Sequence, residues 1–110
     1  MQEKVKITEE SGVLCVRFLG DIDHHFSLDM RMKIDSAIFN VRPKELLLDF
    51  SSVRFMDSSG IGLIMGRVEK CRSIDASVTV VGMSGSLLKL SRLAGLYRVE
   101  NLLIKEGKTK

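Results

Sequence analysis

One stretch of the chain, residues 45–73, constrains the fold most strongly because a strand signal is followed at once by a helix signal. Leu46, Leu47 and Leu48 form an unbroken apolar block, which is typical of a buried strand. Further on, apolar side chains recur at the spacing of one helix face: Ile61, Ile64, Met65, Val68 and Cys71. We predict a strand over 45–50 and a helix from about Ser58 to Ser73, joined through Asp57-Ser58-Ser59-Gly60-Ile61-Gly62.

The start of this helix carries an aspartate and two serines. The first N–H groups of a helix have no partner inside it, and Asp57 or Ser58 fits as the N-cap that accepts hydrogen bonds from them. A phosphate on Ser58 would meet the same N–H donors and the positive end of the helix dipole, so modification there need not unfold the chain. On this hexapeptide alone, capping without a further role is the favoured interpretation.

Two glycines, Gly62 and Gly66, share one face of the first turns of this helix. Each costs about 1 kcal/mol relative to alanine in a helix interior. Their presence favours the close approach of another backbone, either from the chain's own sheet or from a partner. The spacing does not distinguish between the two.

The rest of the chain reads as a hairpin followed by alternating helices and strands. Residues 4–8 and 13–19 predict the hairpin, with a turn at 9–12. The first helix follows, with Ser27 as candidate cap and an inner face of Met30, Ile34, Ala37, Ile38 and Val41, and Pro43 ends this unit. Next come the strand and helix described above, a strand over 77–81 and a third helix. That helix is capped by Ser84 or Ser86, carries Leu87, Leu90 and Ala94, and stops at Gly95; residues 99–104 form a last strand or part of a short helix.

This order predicts a single α/β domain over residues 1–110, with a mixed, mostly parallel sheet opened by an N-terminal hairpin and helices packed against it. In such sheets, functional groups gather in the loops beyond the carboxyl ends of the strands. Residues 21–25 and 57–62 both lead from a strand into a helix. We therefore expect them to lie at the same edge of the sheet and to form one surface.

Composition excludes several classes of protein. With 110 residues, 45% hydrophobic and 28% charged, the chain suits one globular domain. The net charge of +3 comes from basic residues scattered among acids, with a local excess only at 105–110, which does not favour nucleic-acid binding. No apolar run is long enough to span a bilayer and residues 1–4 do not begin a signal peptide, so we expect a cytoplasmic protein. Cys15 and Cys71 are expected to be reduced core thiols, and no cofactor is indicated.

Three functions other than partner binding could use the residues at this edge, and a feature of the sequence argues against each of them. A serine hydrolase would need Ser58 or Ser59 activated by His24 or His25, but the serines lack the Gly-x-Ser-x-Gly frame and a short chain leaves little material for a pocket. A metal site is possible in composition, although no second cluster completes its ligand set; its ligands would be Asp21, Asp23, His24 and His25. A receiver-type phosphoacceptor, Asp49 or Asp57, is disfavoured by the opening hairpin.

A set of motifs, in order over nearly the whole chain, resembles the STAS family, the sulphate transporter and anti-sigma factor antagonist domain. The motifs are Gly20-Asp21-Ile22-Asp23, Leu47-Leu48-Asp49-Phe50-Ser51, Val53, Met56-Asp57-Ser58-Ser59-Gly60-Ile61-Gly62 and Val80-Val81-Gly82. Within the family, the run of glycine, acid, apolar residue, aspartate and two histidines is similar to the sporulation branch. The segment after Gly95 matches less easily.

The resemblance implies a phosphorylation-controlled binding switch and no enzyme activity. In antagonists of this family the serine after the aspartate, here Ser58, is phosphorylated by the anti-sigma factor, an ATP-dependent serine kinase that binds ATP or ADP. The unphosphorylated form binds that kinase and frees the sigma factor, and a serine phosphatase resets the switch. The expected partner-binding residues are Asp23, His24, Asp57, Ser58, Ser59, Gly60, Gly62 and Gly66. A stress-response branch of the family shares these motifs and remains an alternative.

Overall fold

The computed structural model describes residues 4–106, which form a five-stranded sheet covered by helices. The strands are β1 (Val5–Glu10), β2 (Val13–Phe18), β3 (Glu45–Asp49), β4 (Ser77–Val81) and β5 (Leu102–Ile104). The helices are α1 (His24–Val41), α2 (Ser58–Arg72) and α3 (Gly85–Leu93), and a 3-10 turn, Leu96–Arg98, precedes β5. The strand order is β1-β2-β3-β4-β5, antiparallel between β1 and β2 and parallel elsewhere. The predicted fold class is confirmed, and of the last apolar run, 99–104, only Leu102–Ile104 form a strand.

The hairpin between β1 and β2 turns through two residues with positive φ. Ser11 has φ 55° and Gly12 has φ 85°, and Glu10 pairs with Val13 on either side of them. A two-residue turn of this hand matches the twist of the flanking strands. Because the turn fixes the register, the apolar residues of β2 alternate onto the core face.

The core lies on the helix-covered face of the sheet. Rows of side chains in register across the strands are buried there: Leu14, Leu46 and Val78 in one row, and Val16, Leu48, Val80 and Ile104 in the next. Aromatic packing adds to this layer, with the rings of Phe18 and Phe50 4.8 Å apart. On the other face, Leu47 in the central strand is only half-buried and Leu103 is 55% exposed.

The start of α1 differs from the sequence prediction. Asp23 is its N-cap, and the Asp23 carboxylate accepts a hydrogen bond from the Phe26 N–H at 3.1 Å. Ser27, the predicted cap, is buried within the helix and its hydroxyl donates to the His24 carbonyl at 3.4 Å. The prediction was wrong because the aspartate one turn earlier already satisfies the first N–H groups.

The ends of α1 and α3 follow the predicted signals, although each inner face is shorter than expected. Arg42 adopts a left-handed conformation, φ 49°, directly before Pro43, and Gly95 does the same after α3 with φ 79°. Ser84 caps α3 by accepting from the Leu87 N–H at 3.4 Å. Val41 and Ala94 were placed on inner faces and are exposed.

Both cysteines are free thiols, but only Cys71 lies in the core; the prediction of a core position was wrong for Cys15. Cys71 is buried on α2, and burial raises the pKa of its thiol to about 11. Cys15 is half-buried in β2, and desolvation also raises the pKa of its thiol. Among residues 4–106, no helix is long and apolar enough to cross a membrane. The basic segment at 105–110 lies mostly outside the described residues.

Candidate functional site

Two loops meet at the carboxyl edge of the parallel strands, as the sequence predicted. Ile22 and Met56 form a parallel bridge. The Ile22 N–H donates to the Phe55 carbonyl at 3.1 Å, and the Asp57 N–H donates to the Ile22 carbonyl at 3.2 Å. The bridge extends the pairing of β2 with β3 beyond the strands themselves. Because of it, α1 and α2 begin side by side, and their first turns form one surface.

The acidic residues of the first loop bind backbone groups. One carboxylate oxygen of Asp21 accepts from the N–H groups of Arg54 and Phe55, at 3.0 and 3.1 Å. Asp23 caps α1. These bonds fix the segment before α2 and give both carboxylates a structural role. Within residues 4–106 no group of three or more His, Cys, Asp and Glu residues is arranged to hold a metal ion, so the metal alternative gains no support.

Asp57 is the N-cap of α2; the sequence had left Asp57 and Ser58 as the two candidates. Its carboxylate accepts from the Ser59 N–H at 2.9 Å and from the Ser59 hydroxyl. The hydroxyl bond holds the pKa of the Asp57 carboxyl below its usual range, and the Ser59 N–H and then the His24 backbone and imidazole act in the same direction. A negative charge is therefore fixed beside Ser58 at neutral pH.

The two serines have different environments. Ser58 is the first residue of α2 and is exposed, and its hydroxyl forms no hydrogen bond with any other of residues 4–106. Ser59 is half-buried and its hydroxyl is bound to Asp57. The sequence predicted Ser59 to be a partner-binding residue, and the structure makes it part of the cap. Ser58 alone of the pair presents a free hydroxyl to a partner.

The glycines of α2 also divide into two kinds. A Cβ added at Gly62 or Gly66 would have no heavy atom within 4 Å, so the chain's own sheet does not approach them. Close approach of the chain's own sheet therefore does not explain these two glycines. Gly60 is buried, and a Cβ there would lie 2.6 Å from the Met56 sulfur, so a side chain at this position would have to displace Met56.

One hydrophobic side chain at this edge was missed by sequence reasoning. Phe55 is 55% exposed directly before the Met56 bridge, although most large apolar residues of the loop region are buried. Its neighbours in the sequence, Arg54 and Met56, give no pattern that separates an exposed aromatic residue from a core one. Exposed aromatic residues beside polar groups are common at sites of protein association.

A buried ion pair sets the lateral position of α1 and α2. The Arg67 side chain, 5% exposed, approaches Asp35 through Nε at 2.8 Å and through a terminal nitrogen at 3.2 Å. The other terminal nitrogen, Nη1, is buried without a hydrogen-bond partner among residues 4–106. The sequence did not reveal this pair, because its members lie on different helices.

Together these features define a small α/β domain whose carboxyl edge is a surface suited to contact with a macromolecule: a free serine at a helix N-terminus, an ionised cap and two open glycines. The first turns of α1 and α2 form this surface, and the bridge between Ile22 and Met56 holds them together.

The chain belongs to the STAS domain family, which residues 4–107 match. It is 31% identical over 99 residues to an anti-sigma F factor antagonist of Paenibacillus polymyxa, covering 90% of this chain and 85% of that protein. It is 28% identical over 91 residues to an anti-sigma-B factor antagonist of Listeria monocytogenes, covering 80% of this chain and 76% of that protein. The solved structure of the Bacillus cell fate determinant SpoIIAA in its phosphorylated form has a TM-score of 0.71 and 25% identity, covering 93% of this chain and 91% of that chain.

Proposed function

We propose that this protein is an anti-sigma factor antagonist. In its unphosphorylated form it binds an anti-sigma factor that is a serine kinase, with ATP or ADP bound, and the sigma factor is released to activate transcription. Phosphorylation on Ser58 ends the complex, and a serine phosphatase restores the binding form. The family and the Paenibacillus relative support this function and favour the sporulation sigma F branch. The Listeria relative keeps the sigma B branch as the alternative.

The observation that carries the proposal is the contrast between the two serines. A kinase needs a hydroxyl that is free to enter its active site, and Ser58 is exposed and unbonded within the described residues. Phosphorylation of Ser59 would break the cap that Asp57 forms with it. In this function the chain contributes no catalytic residue. It acts in the cytoplasm by binding and needs no cofactor.

One phosphate at Ser58 is sufficient to release a partner. Phosphoserine carries roughly −1.5 to −2 charges at neutral pH. A single unit charge about 4 Å from a like charge on the partner costs about 4 kcal/mol at an effective dielectric near 20. Since ~1.4 kcal/mol changes affinity tenfold, the expected loss is on the order of a thousandfold. The N-terminus of α2 favours the added charge, so the fold is retained while binding is lost.

The same surface supplies the other expected contacts. Asp23 and His24 lie beside the cap of α2, and Gly62 and Gly66 leave room for a partner to approach its backbone. We assign partner contact to Asp23, His24, Asp57, Ser58, Ser59, Gly62 and Gly66, and we assign to Gly60 the packing that holds them in place. Gly62→Lys, which fills the open space without touching the core, is expected to abolish binding and leave folding unchanged.

The test is phosphorylation by the cognate anti-sigma kinase with ATP, followed by intact-mass spectrometry and peptide mapping. One phosphate is expected, on Ser58; it should be absent in Ser58→Ala and present in the control Ser86→Ala, which changes an exposed serine of α3. Calorimetry should show that Ser58→Asp binds the kinase far more weakly than Ser58→Ala. Equal affinity of these two variants, or a phosphate elsewhere, contradicts the proposal. Turnover of ester or phosphate substrates by the protein alone would instead favour a serine enzyme.

A further inference from the structure

The outer face of α1 carries an unusual row of exposed apolar side chains. Leu28, Met32 and Phe39 are 56%, 63% and 76% exposed. Positions four and eleven residues apart share one face of a helix, so the three side chains form a stripe about 16 Å long. Single exposed apolar residues are ordinary, whereas three on one face of a helix mark a site of association.

The stripe reaches a cleft between α1 and α2 at its far end, where Phe39 is one of the lining residues. The cleft has a volume of about 650 Å³ and is lined on α1 by Asp35, Phe39 and Arg42 and on α2 by Glu69, Lys70 and Ser73. Gly66 lies one turn before Lys70 on the same face of α2, and the space above it is open. We define the α1–α2 groove as the stripe and the cleft taken together, with Gly66 beside them: Leu28, Met32, Phe39, Gly66, Lys70 and Ser73.

The charges around the cleft are unbalanced. Asp35 is bound by Arg67, and Glu69 is paired with Arg72 at 2.9 Å. Arg42 and Lys70 have no ion pair within residues 4–106. The far end of the groove therefore combines an exposed aromatic ring with two cations whose charge is not compensated there. Such a surface fits an apolar segment that carries carboxylates.

We propose that the α1–α2 groove receives an amphipathic helix of the anti-sigma kinase, with apolar side chains along the stripe and carboxylates at the Arg42 and Lys70 end. The inference rests on the proposed function and extends it to a second contact. Phe39 lies 15 residues after His24, about 22 Å along α1 from the switch edge. A partner that spans this distance is repelled by a phosphate on Ser58 at one end only.

A second copy of this chain fits the groove less well. Another copy brings the same two unpaired cations and carboxylates that are already engaged, so charge complementarity favours a different, acidic partner. The groove also explains how the kinase holds its substrate. The contact at the far end of the groove binds the kinase without involving Ser58. The serine therefore remains free to enter the active site of the kinase while the two proteins are bound.

The test is calorimetric titration of the anti-sigma kinase with matched variants of the full chain. Phe39→Ala and Lys70→Glu alter the groove; Leu93→Ala and Lys89→Glu make the same changes at exposed positions of α3, where Leu93 is 78% exposed. Each groove variant is expected to bind about tenfold more weakly or worse, and the α3 variants should bind like the parent chain. Thermal unfolding checks that all four variants fold.

Each outcome separates the groove from the switch. Groove variants that bind like the parent chain overturn the inference, and if Ser58→Asp loses binding in the same experiment the proposed function still stands. Weakened groove variants together with unimpaired Ser58→Asp support the groove and overturn the switch. Equal losses in the groove and α3 variants overturn the inference. The inference is also overturned if sedimentation shows that the groove variants differ from the parent chain only in self-association. The groove would then bind a second copy of this chain.

Discussion

The buried pair between Asp35 and Arg67 gives the sharpest prediction about stability. Asp35→Ala leaves the guanidinium of Arg67, a side chain that is 5% exposed, without its carboxylate, and Nη1 of Arg67 already lacks a partner among the described residues. Breaking a buried pair on one side costs about 3–5 kcal/mol. Because the Asp35 side chain is 28% exposed, we expect the lower end, about 3 kcal/mol.

That loss is large for a domain of this size. A small domain has a total stability of about 5–15 kcal/mol, and 3 kcal/mol lowers its melting temperature by roughly 10–15 °C. The assay is thermal and urea unfolding followed by circular dichroism. The matched control is Asp29→Ala, which removes the carboxylate of an exposed pair with Lys33 on the same helix, 3.3 Å apart, and should cost less than about 0.5 kcal/mol.

A double variant separates loss of the pair from loss of packing. Asp35→Leu with Arg67→Met replaces both charges by apolar side chains, and its stability should return close to that of the parent chain. If Asp35→Ala costs no more than Asp29→Ala, the guanidinium is solvated in the folded protein and the reasoning from burial fails.

Two further predictions concern the first turn of α2. Gly60→Ala should destabilise the domain by about 1–3 kcal/mol because its Cβ would meet Met56 at 2.6 Å, whereas Gly62→Ala, in open space, should stabilise it by up to about 1 kcal/mol; chemical denaturation checks both. Ser59 holds the pKa of Asp57 below that of the unfolded chain, so the stability due to the Asp57 carboxylate is present above the unfolded value and is lost as pH falls through the folded value. Asp57→Asn should flatten the acid limb of the unfolding curve, and an unchanged limb would contradict this assignment.

The sequence predicted most of the fold because its local signals agree with one another. The strand at 45–49 and the helix at 58–72 end within a residue of the expected positions, since a buried apolar block, a capping aspartate and a helical period all mark the same boundaries. The two loops were expected at one edge from chain order alone. The bridge between Ile22 and Met56 confirms that inference.

What the sequence did not predict depends on contacts between elements. Arg67 is buried on α2 because Asp35 of another helix neutralises it, and no periodicity marks a charged residue as buried. Phe39 is exposed although its type favours the core. Chain order alone also could not distinguish the roles of Ser58 and Ser59, because both fit the start of a helix. The position of the Asp57 carboxylate assigns Ser59 to the cap.

The order of the strands has a consequence for solubility. Strands β1 and β5 form the two flanks of the sheet, and a flanking strand offers unpaired N–H and C=O groups that can recruit a strand from another molecule. On β1 the side chains of Lys6, Glu9 and Glu10 are exposed, and β5 is only three residues long. The charged side chains of β1 and the short length of β5 both discourage β-pairing between molecules. Such protection suits a protein whose first helix exposes three apolar side chains on one face.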